Sequence, residues 1–159
     1  YQRFFTLVAR LVIGGVLLVA GGLKAFVPAE AASAVAAYKI LPTQIAHIAG
    51  YALPWFEIAI GLLLVIGISV RMSATISGAI MVVFIAAIIS VWARGILIDC
   101  GCFGGGGQVP EGEANYLTPL LRDTGLALLG IYLTLFPHTK FGLDKSPAPA
   151  TQLGESNND

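Results

Sequence analysis

"MSATISGAIMVVFIAAIISVWA", residues 72–93, contains no Asp, Glu, Lys or Arg. A helix rises 1.5 Å per residue, so about 20 apolar residues cross a hydrocarbon core. This stretch therefore reads as a transmembrane helix, and it decides the fold class. Working outward, three more segments have the same length and character. "YALPWFEIAIGLLLVIGISV", residues 51–70, precedes it almost directly, with Arg71 at the junction. "FFTLVARLVIGGVLLVAGGLKAF", residues 4–26, opens the chain, and "LTPLLRDTGLALLGIYLTLF", residues 117–136, follows a long connection.

The totals agree with this reading. The chain has 159 residues, of which 57% are hydrophobic and 11% charged, whereas an ordinary soluble domain is about 25% charged. Mean hydropathy is +0.83. So few charges cannot cover the surface of a soluble protein of this size. A formal net charge of zero leaves no electrostatic footprint for nucleic acid. The first span is too long for a signal-peptide core and is read as a retained membrane helix.

Between the first two spans, Pro28 can open a helix, and the alanine-rich run to Ile40 favours one until Pro42. It is too short to span, so it is placed at the interface, with Tyr38 and Lys39 near headgroups. The expected fold is all-α: a polytopic membrane protein in which a four-transmembrane-helix bundle, residues 1–137, carries this short interfacial helix. The polar stretch 138–159, rich in Pro, Ser and Asn, is expected to be a disordered tail.

An even number of spans puts both termini on one side. Arg3, Arg71, Lys140 and Lys145 lie on that face, against Lys24, Lys39, Arg94 and Arg122 on the other, with Arg10 just inside the first span. The positive-inside count thus favours cytoplasmic termini, with the connection 94–116 facing outward.

Ionisable residues inside a span are expensive and mark candidate sites. Lys24, Glu57, Arg122 and Asp123 all approach the face that bears the third connection, while Arg10 sits near the opposite one. Two basic and two acidic groups can neutralise each other there. The cluster serves either as a structural pin between helices or as a polar floor that stabilises a thiolate or relays a proton.

The connection above them reads "LIDCGCFGGGG", residues 97–107, and holds both cysteines of the chain. Two thiolates with Asp99 and His47 make an incomplete metal set. A disulfide across one residue would constrain the unfolded chain little. Redox exchange fits better: Gly101 frees the turn, a bond between Cys100 and Cys102 lies at the edge of disulfide geometry, and the following glycines leave the sulfurs open. Cys102, followed by Phe103 and glycines, looks the less hindered thiol. Asp99 disfavours a neighbouring thiolate, which Arg94 and Arg122 can offset. With one pair only, exchange must run directly with a partner protein or a membrane oxidant such as a quinone.

"GGLKAF" (21–26), "AYKILP" (37–42), "LPWFEIAIGLLL" (53–64), "ARGILIDCGCFG" (93–104) and "LLRDTGLALL" (120–129) occur in an order that resembles the MauE/DoxX family of four-helix membrane proteins, and its MauE branch in particular. The resemblance implies a membrane-embedded redox helper that works with an extracytoplasmic thioredoxin-like protein. The family's cysteine pair falls on Cys100 and Cys102, and its membrane charges on Lys24, Glu57 and Arg122. The segment "GGGGQVPEGEANYLTP", residues 104–119, is longer and more acidic than this resemblance leads one to expect.

The leading expectation is a thiol–disulfide oxidoreductase of a bacterial cytoplasmic membrane, with Cys100 and Cys102 as the reacting pair. Lys24, Glu57, Arg122 and Asp123 would support it, with no metal. The rival is a non-catalytic accessory or assembly subunit of a larger membrane complex, its cysteines in a static bond. A pathway for ions or small molecules is disfavoured by the balanced charges and by the lack of a polar stripe through all four spans.

Overall fold

A computed structural model of the chain describes residues 1–102 and 106–136. Five helices form among these residues: α1 (Gln2–Phe26), α2 (Pro28–Ala37), α3 (Thr43–Ile66), α4 (Val70–Ala93) and α5 (Leu117–Leu135). Between α4 and α5, β1 (Ile98–Asp99) pairs antiparallel with β2 (Gly107–Gln108), Ile98 opposite Gln108 and Asp99 opposite Gly107. The expected disordered tail, residues 138–159, lies outside the described residues.

Helices α1, α3 and α4 are long and apolar enough to cross a membrane. α5 has 19 residues, but its adjacent Arg122 and Asp123 lower its hydropathy, and it does not qualify on composition. The bundle is apolar outside as well as inside, and a few polar groups are buried within it. Large apolar side chains such as Val19, Trp55, Val83 and Leu128 face outward, while Thr6, Arg10, Lys24, Glu57, Ser73, Ser77 and Asp123 are buried. An apolar exterior over a polar seam is what hydrocarbon surroundings select, since lipid offers no drive to bury leucine.

The buried face of α1 recurs at helical spacing, from Thr6 through Arg10, Ile13, Leu17 and Gly21 to Lys24. α1 packs chiefly on α3, and α4 on α5, around a core that includes Ile13, Leu17, Leu64, Met81 and Leu133. Gly21 sets how near α3 comes. A β-carbon there would lie 2.8 Å from the Pro54 carbonyl oxygen and 3.0 Å from Glu57 Cβ. The adjacent Gly22 has nothing within 4 Å, so only one glycine of the pair is needed for packing. One turn on from Gly21, Lys24 is brought directly against Glu57.

Helix bounds depart from the sequence expectation at three places, the first being α2, which ends at Ala37 rather than running to Ile40, with Lys39 left-handed (φ 51°) just beyond it. α3 begins at Thr43 rather than near Tyr51, because Pro42 stands at the N-cap of α3 in extended backbone. Residues 43–50 include the exposed Gln44 and His47, which suit a helix but dilute hydropathy. The turn between α3 and α4 falls at Gly67–Ser69 rather than at Arg71. Gly67 is left-handed (φ 85°), and the amides of Gly67 and Ile68 both donate to the Leu63 carbonyl, at 2.9 and 3.0 Å.

α2 closes over the third connection. Its Ala31, Ala32, Ala34 and Ala37 are buried, and it packs on α3 and on β2. Ile98, Val91 and Ala37 form a second small core, with Tyr38, Ile96 and Tyr116 against it. Trp92 stacks on Tyr116 at 5.9 Å, and the Tyr116 hydroxyl donates to the Ile96 carbonyl, tying the end of α4 to the start of α5.

Candidate functional site

The reactive groups are carried by the turn between β1 and β2. Gly101 takes φ 64°, a left-handed conformation that costs glycine nothing. It folds the chain so that the Cys100 and Cys102 sulfurs lie 2.8 Å apart, both as free thiols. The Cys102 amide donates to Cys100 Sγ at 3.4 Å, and Tyr38 donates its hydroxyl to the Cys100 carbonyl at 3.2 Å. Tyr38 is therefore half-buried against the cysteine turn, where the sequence suggested a headgroup contact.

The two thiols are unequal, in the opposite sense to the sequence expectation. Cys102, read as the less hindered, is 7% exposed, whereas Cys100 is half-buried. The cause is the fold of the turn, which points Cys102 inward over α1 and α5. A hydrogen bond from the Cys102 thiol pulls Cys100 down to about 7; burial opposes it, and the Cys102 amide and the Arg122 guanidinium assist it. Cys102 is pushed well up, because its proton is committed to Cys100 and it is buried. Cys100 is thus the more accessible and the more readily ionised of the two thiols. Alkylation of Cys100 in the reduced protein is expected to follow a midpoint near about 7, rather than the ordinary 9.0. It falls away below that midpoint because only the thiolate reacts, with Cys102 silent across the range. Mass spectrometry after timed iodoacetamide pulses reads both sites.

Beneath Cys102, three helices bring four charges together. Lys24 of α1 donates to both carboxylate oxygens of Glu57 of α3, at 2.8 and 3.0 Å. Their side chains are 5% and 1% exposed. The buried pair leaves no freedom for Lys24 to reach the interface. Its ammonium also lies 5.6 Å from the Phe84 ring centre. On α5, Arg122 folds back so that Nε and Nη2 donate to Asp123 Oδ1 at 2.8 and 2.7 Å. The Arg122 guanidinium also acts electrostatically on both sulfurs, favouring their thiolate forms. A cavity of about 10 Å³ touches Lys24, Glu57, Arg122, Asp123 and Cys102 together. A second cavity of about 30 Å³ lies between α2 and the turn, touching Tyr38, Cys100 and Cys102.

Other residues of the sequence reading stand elsewhere. Arg94 does not face the thiols; it donates to the Tyr38 and Lys39 carbonyls and closes the end of α2. Asp99 points outward from β1 while Ile98 points in, as strand alternation requires. His47 is exposed on α3, and Arg10 is buried nearer the opposite end of α1. Among the described residues no group of three or more His, Cys, Asp or Glu is placed to hold a metal ion. Sequence reading did not find that α2 roofs the thiols. The run of alanines at 31, 32, 34 and 37 was the available signal, since small side chains permit close packing.

A family model described as "Methylamine utilisation protein MauE" matches residues 2–136, a range that takes in all five helices and both cysteines. Comparison with curated proteins and with solved structures finds no match.

Proposed function

The chain belongs to the MauE family, and from that premise we propose that it is a thiol–disulfide exchange protein embedded in a bacterial cytoplasmic membrane, serving a methylamine-utilisation system. One observation carries the proposal: two free thiols 2.8 Å apart, one half-exposed and one buried. In this reading residues 1–137 form one unit, α5 is a fourth span, and α2 lies at the interface. The cysteine turn faces outward and the termini face the cytoplasm. The kinship with DoxX proteins, and the Cys-Gly-Cys turn as the mark of the MauE branch, belong to the same proposal.

The chemistry follows from the inequality of the thiols. The Cys100 thiolate attacks a disulfide of an extracytoplasmic thioredoxin-like partner, forming a mixed disulfide and releasing one partner thiolate. Cys102 then attacks the Cys100 sulfur and releases the second. Two electrons and two protons leave the pair, and the partner disulfide becomes a dithiol; run in reverse, the pair oxidises its partner's thiols. A quinone in the bilayer is the candidate acceptor when the pair must be reoxidised. Lys24, Glu57, Arg122 and Asp123 support the site from below.

The purified full chain in detergent, equilibrated in glutathione buffers of graded potential and quenched with a maleimide, tests this. A single two-electron transition between doubly labelled and unlabelled chain is expected. A pair that stays in one state across the whole range contradicts exchange, and leaves the accessory subunit of a larger membrane complex.

A further inference from the structure

The two ion pairs under Cys102 look alike in sequence but differ in what they leave free. Glu57 has both carboxylate oxygens held by Lys24. Asp123 gives only Oδ1 to Arg122. Its Oδ2 is buried and has no hydrogen-bond partner among the described residues, though the side chain is only 1% exposed. A buried carboxylate oxygen without a donor is costly and calls for an explanation. Asp123 and Cys102 border the same cavity of about 10 Å³, about the room one bridging water needs.

We propose that Asp123 Oδ2 is the proton acceptor for Cys102 when that thiol resolves a mixed disulfide. The inference rests on the exchange reading and assigns one of its steps. After Cys100 has formed a mixed disulfide, its sulfur is no longer an anion and no longer holds the Cys102 proton in place. The Cys102 thiol then gives its proton across the cavity to Asp123. The thiolate attacks the Cys100 sulfur, the internal disulfide forms, and the partner's sulfur departs with the bonding pair. The proton lands on Oδ2, so the bonds from Arg122 to Oδ1 survive the transfer. The groups facing this transfer are Lys24 from α1, Tyr38 just beyond α2, Glu57 from α3 and Arg122 from α5; α4 contributes the apolar Met81 and Phe84. Glu57 is the structural member: protonating it would undo its pair with Lys24.

Dithiobis(nitrobenzoate), used as the disulfide probe on the reduced full chain, separates the steps. The first equivalent of coloured thiolate reports attack by Cys100, and the second reports resolution by Cys102. In Asp123→Asn, which keeps an oxygen for Arg122, the second release is expected to slow about a hundredfold relative to the first, the usual worth of a positioned base. The deficit should shrink as pH rises and hydroxide takes over. An unchanged second release in Asp123→Asn overturns the assignment while exchange stands. The wild type supplies a test that needs no variant: its second release should be nearly flat between about pH 6 and about pH 9, as with an internal base. A rise of about tenfold per pH unit would mean that hydroxide does the work, and also overturns it. If wild type never releases a second equivalent, the exchange reading itself fails, and the inference with it.

Discussion

Cys102→Ser is expected to accumulate as a mixed disulfide through Cys100, with turnover falling by at least about a thousandfold. The expected size comes from geometry. A neighbouring thiol poised next to the reacting sulfur acts at an effective molarity of about 10⁵ M or more, which no free thiol in solution matches. Cys102 is so poised, 2.8 Å from Cys100. Serine keeps the shape of the side chain and a hydrogen-bond donor toward Cys100, but it cannot complete the exchange. Cys100→Ser should behave differently and form no adduct, because the remaining thiol is buried and holds its proton tightly. Non-reducing gels with a thiol-bearing partner, followed by mass spectrometry of the adduct, distinguish the two. Equal trapping by both variants would mean that the thiols are interchangeable, contrary to their unequal burial.

The second large effect is on stability. Glu57→Gln leaves the Lys24 ammonium buried without its counter-charge, and losing one partner of a buried pair costs about 3–5 kcal/mol. Lys24→Met should cost a similar amount by stranding the Glu57 carboxylate. The double variant, Lys24→Met with Glu57→Leu, removes both charges and fills the same space with apolar atoms, so most of the loss should return. Unfolding of the detergent-solubilised chain by denaturant gives all three values, and the coupling between the sites is read from the cycle. Additive losses would show that the 2.8 Å contact between Lys24 and Glu57 does not hold α1 to α3.

Much of this arrangement was legible in the residues. Runs such as 72–93 declare their helices because hydrocarbon imposes one length and one polarity on whatever crosses it. The meeting of Lys24, Glu57, Arg122 and Asp123 could be anticipated because depth along a helix follows from residue count. What counting cannot supply is lateral direction. Which acid each base would take depended on Gly21 admitting α3 and on Arg122 folding back onto its own neighbour. The inequality of the cysteines was hidden for a related reason. A Cys-Gly-Cys turn presents its sulfurs according to the backbone sense at the glycine, here φ 64° at Gly101, and sequence spacing does not specify that sense. Arg94 misled because a cation near a cysteine in the chain need not be near it in space; the carbonyls at the end of α2 claimed it. α5 shows the reverse case. The charges that lower its hydropathy are the ones that build the site.

The central claim, that Cys100 and Cys102 cycle between dithiol and disulfide outside the cytoplasm, is tested most directly on intact cells. A membrane-impermeant maleimide is applied with and without prior reduction, and labelling is followed under an oxidising and then a reducing challenge, with Cys100→Ser and Cys102→Ser alongside. Labelling is expected to appear after reduction and disappear on reoxidation, and to require both cysteines for its reversal. Thiols that label only with a permeant reagent, and whose state never changes under either challenge, would contradict it.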